Sequence, residues 1–95
     1  MKDEETIVKL LNIISKNSEY SQRDISTKTG ISLGKVNYVL KALINKGLVK
    51  TENFINSRNK RAYRYLLTSK GIRAKLKLTR DFVQRKIREY ETLLD

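Results

Sequence analysis

Between Ser21 and Lys50 the chain reads SQRDISTKTGISLGKVNYVLKALINKGLVK, and the polar side chains Ser32, Lys35, Asn37, Tyr38 and Lys41 gather on one side of its second helical segment. Their types suit contacts to base edges and phosphates. Asn37 can form a bidentate pair with adenine N6 and N7, Lys35 can reach guanine O6 and N7 or a phosphate, and Tyr38 can pack on a thymine methyl or donate to a phosphate. Gly34 among them lets a backbone approach its target closely. The same row would also fit the solvated side of any amphipathic helix, so its surroundings must decide.

To present such a row, the helix must dock by its other side. Leu33, Val36, Leu40, Leu43 and Ile44 supply that side, Ser32 is the N-cap with Ile31 and Val36 at staple positions, and Gly47 is the stop. The preceding helix opens on Ser21, with Asp24 three residues on as a capping-box variant and Tyr20 and Ile25 placed as a staple; Gly30 ends it. Two helices joined by so short a turn cross steeply. Backbone N–H groups at Ser21 and Gln22, at the start of the first of them, could hold a phosphate. Upstream, Ile7, Leu10, Leu11 and Ile14 recur at i, i+3, i+4, i+7 and predict a helix over 4–16, widened by Val8 and Ile13.

After Gly47 the period changes from helical to alternating. Leu48 to Phe54 and Arg61 to Thr68 read as two strands, the second with Tyr63, Tyr65 and Leu67 on one face and Ala62, Arg64 and Leu66 on the other. The polar connection INSRNK suits a hairpin tip. Arg58, Lys60 and Arg61 bring three cations to that tip, where an arginine could enter a minor groove. A charged tip that blocks edge-to-edge aggregation is the alternative. Tyr63 and Tyr65 are expected to face the core, which leaves Arg64 toward a phosphate.

From Ser69 to Leu94 the pattern is helical again, roughly 39 Å at 1.5 Å per residue. Ile72, Leu76, Val83, Ile87, Tyr90 and Leu94 track one stripe, more than one small domain can cover. Either this helix folds back along its own domain, or its distal half pairs with a second copy through Val83, Ile87, Tyr90 and Leu94. Lys70, Arg73, Lys77 and Arg80 form a separate basic stripe, solvated or flanking a nucleic-acid backbone.

Composition narrows the partner. The 95 residues allow a single modest core, and with no cysteine and no proline neither disulfides nor thiolate metal sites can staple it, so self-association is the expected substitute. The net charge of +11 is unevenly spread: three basic and four acidic side chains in 1–20, ten and two in 21–68, eight and four in 69–95. A polyanion is the implied partner, nucleic acid ahead of a membrane surface. The N-terminus is acidic with a short, interrupted apolar run, which fits neither a secretory signal nor a membrane span, and a cytoplasmic protein is expected. With no histidine, no cysteine, no paired carboxylates and no Gly-rich phosphate loop, no catalytic constellation is present and no cofactor is implied.

The block from Ser21 to Gly71, with its strand exit LTSKG at Leu67 to Gly71, resembles the multiple-antibiotic-resistance regulator (MarR) class of winged-helix transcription factors. More closely, it is similar to a short subgroup described as exopolysaccharide-associated regulators. Two departures stand out. The class's Asp-x-Arg at the wing is Asn59-Lys60-Arg61 here, and its long N-terminal dimerisation helix is reduced to residues 4–16. The resemblance implies a mainly α fold with a small β-hairpin: a winged helix-turn-helix over 1–68, then a C-terminal dimerisation helix over 69–95. The function expected is a homodimeric, sequence-specific regulator on double-stranded DNA with an inverted-repeat operator. A protein-interaction module and an RNA-binding winged helix are the competing classes.

Overall fold

The computed structural model describes residues 3–55, 58 and 60–94. Asn56, Ser57 and Asn59 of the expected hairpin tip, and with Asn59 the substituted wing motif, lie outside the described residues. The element order is α1 (Glu4–Lys16), α2 (Gln22–Thr29), α3 (Leu33–Asn45), β1 (Val49–Ile55), β2 (Arg61–Leu67) and α4 (Ser69–Leu94). This is a winged helix-turn-helix continued by a long C-terminal helix.

Local chemistry sets the boundaries. Asp3 caps α1 by accepting from the Thr6 N–H, and Ser21 and Asp24 close a full capping box on α2. Ser32 Oγ accepts from the Lys35 N–H to open α3. Gly30 and Gly47 take φ of 74° and 73°, the left-handed region that lets the chain leave a helix without a Cβ clash. Between α2 and α3, Ser26 Oγ donates to the Ile31 carbonyl at 2.5 Å, which fixes the turn.

The apolar faces meet in one core of Ile7, Leu10, Leu11 and Ile14 from α1, Ile25 from α2, Val36, Val39, Leu40 and Leu43 from α3, and Leu48, Val49 and Tyr65 from the wing. Leu33, expected in this core, is 39 % exposed. It is the first helical residue, and its side chain lies beside Arg23, Ser26 and Thr27 of α2. Val39 takes the core position instead, completing the i, i+3, i+4, i+7 face with Val36, Leu40 and Leu43.

The wing is an antiparallel pair with Val49 opposite Leu67 and Ile55 opposite Arg61. Opposed residues share a face, so Val49, Thr51 and Asn53 lie on the side of Leu67, Tyr65 and Tyr63. Tyr65 is buried as expected, whereas Tyr63 is 64 % exposed. That correction is one of reach: both tyrosines lie on one face of the hairpin, but Tyr65 sits in the core near its base while Tyr63 stands nearer its tip.

Helix α4 begins under Thr68, whose Oγ1 accepts from the Gly71 N–H and donates to the Gly47 carbonyl. It then runs antiparallel to α1. Ala74 and Leu78 pack on the core, Asn12 Nδ2 donates to Thr79 Oγ1 at 3.0 Å, and Arg85 pairs with Glu4 at the far end of α1. Beyond Arg85, α1 has no more residues to offer. The molecule is accordingly elongated, 57 × 26 × 21 Å with a radius of gyration of 15.0 Å, against about 12 Å for a compact chain of this length.

Candidate nucleic-acid interface

Because Val36, Val39, Leu40 and Leu43 are buried, the other side of α3 faces outward with Ser32, Gly34, Lys35, Tyr38 and Lys41 exposed and Asn37 half-buried. Tyr38, 70 % exposed, stands clear of the surface. An exposed aromatic between two lysines on a capped, rigid helix can touch a base methyl or a phosphate without moving the backbone.

Two of these residues are already engaged by protein groups. Lys35 pairs with Asp3, the N-cap of α1, and this contact, with a smaller contribution from the Thr6 N–H, lowers the Asp3 carboxyl from 3.8 to about 2. Asn37 Nδ2 donates to Gln22 Oε1 at 3.2 Å, and Gln22 Nε2 in turn donates to the Tyr65 hydroxyl at 3.1 Å.

The start of α2 forms the expected capping box. The Ser21 N–H donates to the Asp24 carboxylate at 2.9 Å while the Ser21 hydroxyl accepts from the Asp24 N–H. Those bonds to Ser21 lower the Asp24 carboxyl below its usual value. Ser21 is thus committed to its own helix cap, beside a carboxylate that disfavours phosphate at that point. Gln22 is placed on the surface between α2 and α3, but its side chain serves Asn37 and Tyr65.

On the wing, Arg58 and Lys60 lie exposed at the tip, and Arg61 is exposed at the start of β2. Arg64 does not project with them. Its guanidinium stacks 4.4 Å from the Phe54 ring centroid, Nη2 lies 3.8 Å from Glu19 Oε1, and its Nε is buried without a hydrogen-bond partner. With the Tyr65 N–H bonded to the Ser18 carbonyl at 3.2 Å, Arg64 ties the wing to the α1–α2 connection rather than reaching toward a phosphate. Phe54, directly opposite Ala62 and on the same face as Arg64, provides the platform.

Val83, Ile87, Tyr90 and Leu94 lie on the outward side of α4, each between 46 and 86 % exposed. Lys70 donates to the Lys46 carbonyl at 3.1 Å, so the first member of the basic stripe caps α3. Sequence reasoning places Leu33 in the core, whereas it lies exposed beside Arg23 of α2, and it does not find the bond between Gln22 and the Tyr65 hydroxyl. Leu33 had a local signal, since the first residue of a helix is poorly placed to reach the core. Among the described residues there is no cluster of His, Cys, Asp and Glu able to hold a metal ion, and no helix long and apolar enough to cross a membrane.

A capped helix pair with a basic outward row, followed by a cationic hairpin, is the arrangement of a winged helix-turn-helix. Residues 3–50 match the winged helix-turn-helix DNA-binding family, and the chain belongs to it. No curated protein matches in sequence. Among solved structures, a PadR-like transcriptional regulator from Bacillus cereus superimposes with a TM-score of 0.84 at 18 % identity, covering 100 % of this chain and 99 % of its own. Staphylococcus aureus MepR in a DNA complex gives 0.71 at 17 % identity over 97 % of this chain and 64 % of its own. S. aureus MarR in complex with salicylate and kanamycin gives 0.65 at 22 %, over 95 % and 57 %. The chain therefore has the MarR-type and PadR-like winged-helix fold, and spans 57 % of that MarR chain and 64 % of that MepR chain.

Proposed function

We propose that this chain is a sequence-specific regulator of transcription that binds double-stranded DNA in the cytoplasm and has no enzymatic activity. The outward row of α3 carries the reading: Ser32, Lys35, Asn37, Tyr38 and Lys41 occupy the side of a rigid helix whose other side is locked in the core. In this reading α3 enters a major groove, Asn37 reads adenine, Lys35 and Tyr38 contact a base or phosphate, and Lys41 follows the backbone. Arg58, Lys60 and Arg61 of the wing approach the neighbouring minor groove. Residues 1–68 form the binding unit, and 69–95 join two copies through Val83, Ile87, Tyr90 and Leu94, so the operator is an inverted repeat. Exopolysaccharide genes are the targets that the resemblance suggests. That a structural neighbour, MepR, was solved in complex with DNA supports DNA as the partner.

Selection of bound duplexes from random sequence tests this reading directly. A recovered motif, with Asn37→Ala losing about 1–3 kcal/mol on it and little on random DNA, is the expected result. Affinity should also fall steeply between 50 and 200 mM salt, with a log–log slope of about −0.9 per phosphate contacted. No recovered motif, a flat salt response, or preference for structured RNA over duplex DNA would overturn it.

A further inference from the structure

Apolar exposure on α4 is not confined to its far end. Ile72 and Leu76 lie on the half of the helix that Ala74 and Leu78 pack against the core, yet they face the other way and are 51 and 65 % exposed. Ile72 also lines a hollow with Ile14, Leu66 and Leu67. The stripe they begin is symmetric about Val83. Leu76 and Tyr90 stand seven residues to either side of it, and Ile72 and Leu94 eleven. Two copies of α4 laid antiparallel with Val83 at the centre therefore match apolar to apolar over about 33 Å. Sliding one helix by a turn leaves either Ile72 or Leu94 with no helix opposite.

Charge sets the direction. Residues 69–80 carry five basic side chains and no acidic one (+5), whereas 81–94 carry three of each (0). Parallel pairing would lay +5 against +5 and put both winged domains at the same end, whereas antiparallel pairing lays each cationic half against the half that holds the acids. The match extends to single residues. Arg73 and Glu91 are 18 residues apart, five whole turns, so they lie on the same flank of the stripe, with Lys77 one turn beyond Arg73. A two-fold axis across the helices brings like flank against like flank, and with Val83 at the axis Glu91 falls opposite the space between Arg73 and Lys77. Among the described residues, none of these three has an ion-pair partner in its own chain.

We propose that Ile72 and Leu76 are covered by the distal half of α4 from a second copy running antiparallel, with Val83 at the two-fold axis and Glu91 of each copy set between Arg73 and Lys77 of the other; this rests on the reading of the chain as a dimer joined through α4. Tyr90 of one copy then lies on Leu76 of the other, and Leu94 enters the hollow beside Ile72. The interface runs the length of the helix, and part of the basic stripe serves the dimer.

The chain has no cysteine, so an introduced one reports on its own position alone. In a glutathione redox buffer without DNA, Val83→Cys should cross-link to itself. Leu76→Cys and Tyr90→Cys should each fail to cross-link alone, because like positions stand about 21 Å apart along the pair, beyond the reach of a disulfide. Mixed and left to exchange, the two should cross-link to each other. By sedimentation Glu91→Lys should weaken the dimer about fivefold, and adding Arg73→Glu with Lys77→Glu should restore it. Each variant is checked for an unchanged melting transition.

Cross-linking of Leu76→Cys or Tyr90→Cys alone, or none in their mixture, would overturn the antiparallel arrangement while leaving a dimer through α4 in place. A Glu91→Lys dimer as tight as wild type would overturn the placement of Glu91. Wild type sedimenting as a monomer at tens of micromolar would remove the dimer and this arrangement with it. Because the cross-links form without DNA, their pattern does not depend on what α3 binds.

Discussion

The Lys35 ammonium and the Asp3 carboxylate form an ion pair that joins the first turn of α3 to the cap of α1. A base or phosphate that claims Lys35 must take it from Asp3. Asp3→Asn keeps a capping side chain and removes the competitor, so duplex affinity at low salt should rise by up to about fivefold, the range of an exposed ion pair. The acid side of the stability curve should change too. Lys35 first, then Thr6, favour the ionised carboxylate and lower it from 3.8 to about 2. A lowered carboxyl contributes fully above its unfolded value and is lost as pH falls through the folded one. Wild type should therefore lose stability relative to Asp3→Asn between pH 3.8 and about 2. Unchanged affinity in binding titrations would mean that Lys35 does not touch DNA.

Among the described residues, Gly71 is the glycine whose missing side chain makes room for a neighbour. A Cβ there would lie 1.9 Å from the Leu48 carbonyl oxygen, the same carbonyl that accepts from the Thr68 N–H. Helix propensity alone would make Gly71→Ala stabilising by about 1 kcal/mol. The clash forces α4 away from the wing root, so the net change should be destabilising by about 1–3 kcal/mol. Urea denaturation decides it by sign: a stabilised variant would show that α4 can shift at no cost.

Arg58→Ala and Arg61→Ala should each weaken binding on selected and random duplex alike and make the salt slope shallower by about 0.9. Sequence preference should change little, because the minor groove separates mainly A·T from G·C. Unchanged affinity in both variants would leave the wing cations with the task of keeping the hairpin soluble.

Much of this architecture was legible because its signals are local. The spacing of Ile7, Leu10, Leu11 and Ile14 gives α1 its bounds, Ser21 and Ser32 mark both caps, and Gly30 and Gly47 mark both exits. What stayed hidden depends on how far elements reach and which polar groups meet across them. Alternation puts Tyr63 and Tyr65 on one face, but not where the core ends beneath them. Arg64 reads as a free cation until Phe54 and Glu19 are seen around it. The Asn37–Gln22–Tyr65 series joins three elements, and no periodicity within one element can report it. The LTSKG strand exit, read as a family trait, has its physical meaning in the Thr68 cap and the close approach at Gly71.

The last prediction concerns the far end of α4. Helix α1 covers α4 only as far as the Glu4–Arg85 pair, yet the apolar stripe continues outward, with Ile87 half exposed and Leu94 86 % exposed. The members of that stripe fall seven residues apart in two series, Leu76, Val83, Tyr90 and Ile87, Leu94, the spacing of a seam between long helices. A stripe of this kind gains from burial against a second copy, and a two-fold pairing presents two recognition helices to half-sites about 10 bp apart or a multiple of it. Ile87→Asp would place an unpaired charge in that seam. Since Ile87 lies beyond α1, the winged domain should keep its melting transition while the variant sediments as a monomer and loses most of its affinity for an inverted repeat. Wild type sedimenting as a monomer at tens of micromolar would remove the dimer, and unfolding of the Ile87→Asp domain would assign the distal helix to the monomer's own core.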